Sequence, residues 1–431
     1  MCRHYRILLA GDIEEEGMMS KRRRSLLLLL GVLVIAAVVV LFQILVPARP
    51  PEPIVFGVGL AITGVVGTIG EDQRQGVQLA QDFINQKQPG VLGRSLSGPL
   101  DLRIEDTLDT TDGAGAVIDR FINQDRVLCI IGPTLSQQQF STGPVANTAG
   151  VPVIGPSNTA AGIPQIGEFI FRVSAPVAQV APNALRAALN LFPNVRNVAQ
   201  VNATNDAFSV SEGGTFRQAI ADTGLNLAFQ GTFLTTDRGT GFDQLITNIL
   251  NNNPPIDLLV ISGLTNDSSS LIQEARALGY DGPIVGGNGL NDPNVARLTE
   301  GAAEGMVVAT AYFPGLQTAL NQTFRQRYQE RFNESPGQFP AQAFTAVQVC
   351  AEAVARVEAS TSQPITSLDL ASARRAIQQE LLQFSGFETV LGPIGFTSEG
   401  EIIQQNAFVT RLTVIENPDG TISGEQELLG G

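Results

Sequence analysis

Tryptophan is absent from this chain of 431 residues, histidine occurs once, at His4, and lysine twice, at Lys21 and Lys87. With its one histidine in a short N-terminal tail, the main body has no imidazole base, which excludes a Ser-His-Asp triad or a His-ligated metal there. Neither lysine is followed by Ser or Thr, so the phosphate loop of P-loop ATPases is excluded as well. Cysteine is scarce: Cys2, Cys129 and Cys350, with no metal-ligand spacing. Cys129 lies in the apolar run Val127–Ile131, and Cys350 follows Phe344 and Val347 at helical spacing. Both are expected to be small buried hydrophobes. Positive charge is also short. Lys and Arg total 27 against 41 acidic residues, a net charge of −14. Beyond residue 53 the balance is 20 against 36, or −16. Such a surface repels nucleic acid and anionic membrane, and no basic patch interleaved with aromatics appears.

What the sequence does have begins with Lys21-Arg22-Arg23-Arg24, followed by an apolar run from Leu26 to Val46 broken only by Gln43. As a helix those 21 residues reach roughly 31 Å, enough for a ~30 Å hydrocarbon core. The basic cluster places residues 1–24 in the cytoplasm and everything after the span outside. Residues 25–46 are thus expected to be an uncleaved anchor, with a cleaved signal segment ending near Val46-Pro47-Ala48 as the alternative. Cys2 precedes the run, so a lipid anchor is not expected. Met18 and Met19 are alternative starts. Residues 47–53 (PARPPEP) form a stiff tether.

From Ile54 onward, short apolar runs alternate with amphipathic segments. Strands are expected at Ile54–Leu60, Leu102–Ile104, Val127–Ile131 and Val151–Ile154, with helices between them. The pattern restarts with strands at Asn197–Val201, Leu225–Phe233, Asp257–Ile261, Ile284-Val285 and Met306–Tyr312. Two long helical stretches follow, at Leu316–Phe332 and Phe339–Ala359, then short strands and turns from Val390 to Thr413. Continuously apolar strands that alternate with helices predict doubly wound parallel sheets, here in an α/β chain of two Rossmann-like lobes with a cleft between them. No residue-level repeat relates the halves.

Gly57-Val58-Gly59 invites a dinucleotide reading, but position 62 is Ile62 where the fingerprint needs glycine. More informative are two hydroxyl-bearing loops at strand ends. Ile131–Ser136 (IGPTLS) closes one strand and opens a helix, and Ile154–Thr159 (IGPSNT) follows the next strand. Free N–H groups at a helix start, together with hydroxyls, make a receptor for a carboxylate. Plain N-capping by Ser136 and a turn at Ser157–Thr159 is the alternative.

In order and spacing, the segments resemble the branched-chain amino acid (leucine/isoleucine/valine) binding proteins of ABC importers, which have the type I periplasmic binding fold. The matching stretches are Gly59–Gly70 (GLAITGVVGTIG), Ile131–Ser136, Val153–Thr159, Asp257–Gly282, Ala302–Val308, Ala346–Gln348 and Val390–Gly400. Together they span nearly all of residues 54–413. By this resemblance the carboxylate loops fall on Ser136 and on Ser157, Asn158 and Thr159. The wall of the ligand site falls on Ile69, Phe208, Leu264 and Phe339, and the acid that holds a ligand's ammonium falls on Asn288. Asparagine cannot neutralise an ammonium buried in a dry cleft. Either another acid replaces it, with Asp206 and Asp267 nearest by sequence, or the ligand has no ammonium. Leu264 and Ile69 at aromatic positions imply an aliphatic pocket. The cysteine pair of some members is replaced by Leu108 and Leu135.

The resemblance implies three hinge crossings, around Arg172–Ala175, Thr310–Pro314 and Thr389–Pro393. The first lobe then takes 54–174 and 313–388, and the second takes 175–312 and the C-terminal segment 389–431. It also implies no enzymatic activity and no cofactor. The expected function is capture of an amino acid, or a related amide or carboxylate, at the outer face of the cytoplasmic membrane. The expected partners are the small-molecule ligand and the permease subunits of an ABC importer, with no nucleic acid and the protein itself a monomer. A membrane-tethered sensor that signals through a partner is the alternative.

Overall fold

The computed structural model describes residues 25–29, 31–32, 50–404 and 407–430. The expected span Leu26–Val46 lies for the most part outside them; among the described residues no helix is long and apolar enough to cross a membrane. Glu52–Gly431 form one compact unit, separate from the segment before it.

Its first sheet is parallel and continuous in apolar character. The strands are β1 (Ile54–Leu60), β2 (Leu100–Asp106), β3 (Cys129–Ile131), β4 (Val153–Gly155) and β5 (Ile170–Arg172), in the order β2-β1-β3-β4-β5. Helices α1 (Gly67–Asn85), α2 (Thr111–Asn123) and α3 (Ser136–Thr148) connect them. Thr110 starts α2 by accepting the Gly113 N–H at 3.0 Å, which satisfies one of the free donors of the first turn.

After α4 (Val177–Leu191) the second array repeats the scheme. Its strands are β6 (Asn197–Ala203), β7 (Asn226–Phe233), β8 (Leu258–Ser262), β9 (Ile284–Gly286) and β10 (Val307–Thr310). They are parallel in the order β7-β6-β8-β9-β10, the same winding as the first sheet. Helices α5 (Ala207–Asp222), α6 (Asp243–Leu250), α7 (Thr265–Ala277) and α8 (Asn294–Leu298) join them. Each sheet therefore has a point where the winding reverses, between β1 and β3 and between β6 and β8. Crevices at the carboxyl ends of strands form there.

The chain then returns to the first sheet with α9 (Ala319–Phe332), α10 (Gln338–Thr361) and α11 (Leu370–Leu381). Helix α10 is buried along most of its length, and Phe344, Val347, Cys350 and Val354 sit in the core over β1 and β3. It lies so close to α1 that a Cβ at Gly76 would collide with the Pro340 carbonyl oxygen, so α1 needs glycine there. Cys129 on β3 and Cys350 on α10 are disulfide-bonded, with Cα atoms 6.6 Å apart. The expectation of two unlinked hydrophobes is corrected: both are fully buried, but the packing of α10 on the sheet brings them together.

The short strands β11 (Phe387–Thr389), β12 (Gly392–Phe396) and β13 (Ile402–Gln404) form a separate antiparallel sheet. Val390, Leu391, Ile394, Phe396 and Ile402 pack into the first core, whereas the resemblance assigns everything from residue 389 to the second lobe. Thr389 pairs with Gly392 within this sheet. Only β14 (Phe408–Glu416) and β15 (Ile422–Gly430) join the second sheet, antiparallel on the β10 edge.

Candidate functional site

The loops at the carboxyl ends of the two sheets face one another across a narrow cavity of ≈ 20 Å³. That is room for about one water, so a ligand must part the walls to enter. The first lobe contributes Ile69, Thr134, Leu135, Ser136, Ser157, Thr159 and Phe339, and the second contributes Phe208, Leu264, Asn288 and Gly289.

The first half is built from the β3–α3 and β4–β5 loops. Gly132 turns the chain with φ +114°, and a side chain there would strike the Gly59 carbonyl oxygen. Thr134 Oγ1 accepts the Ala61 N–H at 3.0 Å and donates to Gln73 Oε1 at 2.7 Å. Gln73 Nε2 donates to Ser157 Oγ at 2.7 Å, and Ser157 Oγ donates to the Thr134 carbonyl at 2.6 Å. This ring fixes α1 and both loops against each other. Ser136 is the first residue of α3, whose N-cap is Leu135, so the hydroxyl of Ser136 is not the cap. Its Oγ accepts the Ala160 N–H at 3.4 Å. Thr159 is 1 % exposed, and its Oγ1 has no hydrogen-bond partner. An unpartnered buried hydroxyl beside the free N–H groups of a helix start suits an anionic oxygen.

Of the nine residues singled out from the sequence, eight line the cavity. Asn158 does not. It is fully buried and its Nδ2 donates to the carbonyls of Pro133 and Thr134, at 3.1 and 3.3 Å, so it braces the loop from behind.

Apolar contact carries the second half. Ile69, Leu135 and Phe339 meet Phe208 and Leu264 in one buried cluster with Ala61, Val66 and Val177, a small core shared by both lobes. Direct bonds hold the lobes together around it. Asn266 Nδ2 donates to the Val65 carbonyl at 2.7 Å, Ala161 N–H to Ser211 Oγ at 3.0 Å, and Gln338 Nε2 to the Asn288 carbonyl at 2.8 Å. The cleft is closed.

Neither acid nearest by sequence reaches the cavity. Asp206 caps α5, its Oδ2 accepting from Ser209 N at 2.7 Å and Oγ at 2.5 Å. Asp267 Oδ1 accepts the Ser268 N–H at 2.8 Å in the first turn of α7. Burial raises the pKa of both, that of Asp267 to about 8. A third acid, Glu212 on α5, is fully buried, and its Oε1 accepts the Asn288 N–H at 2.7 Å. Burial pushes it up to about 8 against the lowering effect of that bond. Thr134, Leu135 and Gly289 were also missed as lining residues. The first two lie inside the loop already marked by its hydroxyls; Glu212, in mid-helix between Ser211 and Gly213, carries no such mark. Among the described residues, no group of three or more His, Cys, Asp or Glu is placed to hold a metal.

The model of the periplasmic binding protein family matches residues 53–420. The chain belongs to that family. As a family member it is a binding protein and not an enzyme, and its body is extracytoplasmic. The fold is the family's type I arrangement of two α/β lobes. This periplasmic binding protein is similar to the leucine-, isoleucine-, valine-, threonine- and alanine-binding protein of Pseudomonas aeruginosa. Identity is 24 % over 344 residues, covering 79 % of this chain and 85 % of that one. Among solved structures it resembles the branched-chain amino acid transporter substrate binding protein LivJ from Streptococcus pneumoniae in complex with isoleucine. The TM-score is 0.73 at 21 % identity, covering 88 % of this chain and 100 % of that one. It also resembles a solute binding protein of an ABC transporter from R. palustris in complex with benzoate, with TM-score 0.72 at 19 % identity and coverage of 88 % and 96 %.

Proposed function

We propose that the protein captures a small organic carboxylate between its lobes and presents it to the permease of an ABC importer, acting as a monomer at the outer face of the cytoplasmic membrane. The observation that carries this reading is the small cavity at the two facing strand ends, with hydroxyls and a helix start on one side and apolar walls shared by both lobes. Affinity comes from the first lobe's loops, and closure adds the second lobe's contacts, so ligand favours the closed form. The eight lining residues named from the sequence are the proposed contacts, and the N-terminal segment the proposed anchor. The relatives' printed ligands, isoleucine in one and benzoate in another, support a carboxylate as the common element.

The test is a thermal-shift panel of amino acids, amides, carboxylates and sugars against the full chain. A ligand at 100 times its dissociation constant stabilises by about 2.7 kcal/mol, which is readily detected. Absence of a shift with every class would reject the reading.

A further inference from the structure

The cavity lining contains no ionisable side chain. Its polar groups are the hydroxyls of Thr134, Ser136, Ser157 and Thr159 and the Asn288 amide. Asp206, Glu212 and Asp267 are buried in the second lobe, and none of them lines the cavity. Glu212 stands behind the chain at Gly287-Asn288: a Cβ on Gly287 would collide with Glu212 Oε2, and Oε1 is already taken by the Asn288 N–H. Asp206 and Asp267 each accept from the first turn of their own helix. A carboxylate therefore finds donors on the first lobe, whereas an ammonium lodged opposite would be stripped of water without a facing negative charge. That is an expensive arrangement.

Resting on the proposed function above, we infer that the ligand is an apolar monocarboxylate that bears no amino group. Its carboxylate sits between Thr159, Ser136 and the start of α3, and its apolar body enters among Ile69, Phe208, Leu264 and Phe339, which part to admit it. Asn288 supplies a neutral end wall and sets the charge selectivity. Burial keeps Glu212 and Asp267 protonated near neutral pH, so a monoanion meets no repulsion from behind that wall.

Isothermal titration of the full chain with matched pairs tests this: 4-methylpentanoate against leucine, and 3-methylbutanoate against valine. The expected result is that the partner without the amino group binds ~100-fold or more tightly than its amino acid. Its heat should be the same in phosphate and Tris, because no proton is exchanged. The variant Asn288→Asp, which puts a carboxylate on the wall, is expected to shrink or reverse that ratio while keeping the wild-type melting temperature within a few degrees. Tighter binding of leucine or valine, with about one proton released per ligand, would overturn the inference and assign Glu212 as the counter-charge, leaving the solute-binding reading intact. If neither member of any pair binds, the inference fails. Binding of an amide or sugar from the panel would then still support solute capture, and silence there would end both.

Discussion

Glu212 Oε1 accepts the Asn288 backbone N–H at 2.7 Å, so a fully buried acid supports the residue that closes one end of the cavity. Burial raises Glu212 and Asp267 to about 8, and it raises Asp206 as well. In the unfolded chain these groups ionise at ordinary carboxylate values. Between about pH 5 and 8 the folded state thus binds more protons than the unfolded one, and stability falls as pH rises across that window, by up to ~1.4 kcal/mol per unit for each group. Above about pH 8 the decline levels off. Melting temperature measured from pH 5 to 9 should follow this course. Glu212→Gln, which keeps an acceptor for Asn288 without a titrating group, should flatten the slope and melt higher than the wild type at pH 8.5. A melting temperature that climbs over the same range would contradict the assignment.

The alternation of apolar runs and amphipathic segments made the parallel strands of both sheets legible except β5; the edge strand β15 was not foreseen either. Ile54–Leu60 is β1 residue for residue, and Asn226–Phe233 differs from its expected strand by one position. Helix α4 escaped because it is entered through Pro176, which makes no side-chain cap; α11 does carry a start signal, Asp369, whose Oδ1 accepts the Ser372 N–H at 3.0 Å, but it was not read as one. The destination of Val390–Ile402 was hidden for a different reason. Short strands carry little information about which of two apolar cores they join, and only packing decides it. The first lobe's half of the site was visible because hydroxyls cluster at strand ends. Its second half depended on how far Asp206, Glu212 and Asp267 stand from the cavity, which sequence proximity does not encode.

The Cys129–Cys350 bond spans 221 residues of sequence and ties β3 to α10, two parts of one core separated in sequence by the parallel strands β6–β10 of the second sheet. Closing so long a loop restricts the unfolded chain, and its loss typically costs about 2–5 kcal/mol. The Cys129→Ala/Cys350→Ala double variant should lower the denaturant midpoint without altering ligand specificity, since neither sulfur lines the cavity. Equal midpoints for variant and wild type would show that the packing of α10 alone holds the core.

The shared apolar cluster predicts an effect on closure more than on folding. Phe208 is 5 % exposed and packs in the cluster shared with Ile69 and Phe339 of the other lobe. Opening the cleft uncovers it, so Phe208→Ala weakens the closed state and the ligand-bound state together. Dissociation constants should rise ~10-fold or more, as expected when about 1.5–3 kcal/mol of apolar burial is removed. The melting temperature without ligand should move little by comparison. Small-angle scattering should show a larger radius for the unliganded variant than for the wild type.

Arg172, at the end of β5, holds the loop on which Ser157 and Thr159 stand. It is 1 % exposed, and its Nη1 donates to the Asn158 and Ala160 carbonyls at 2.8 and 2.7 Å. On its other side Nε donates to Glu401 Oε1 at 2.7 Å. One planar guanidinium thus joins β5, the hydroxyl loop and the turn before β13, a task for which the compact ammonium of lysine lacks the geometry. Arg172→Met would leave two buried carbonyls and a carboxylate without their donor and should cost about 3–5 kcal/mol. Arg172→Lys should be milder in stability but still weaken ligand binding ~10-fold, because charge alone does not align the Asn158 and Ala160 carbonyls. Urea titration and calorimetry on both variants separate the two effects. Unchanged affinity in Arg172→Lys would mean that the Gln73–Ser157–Thr134 ring suffices to position the loop.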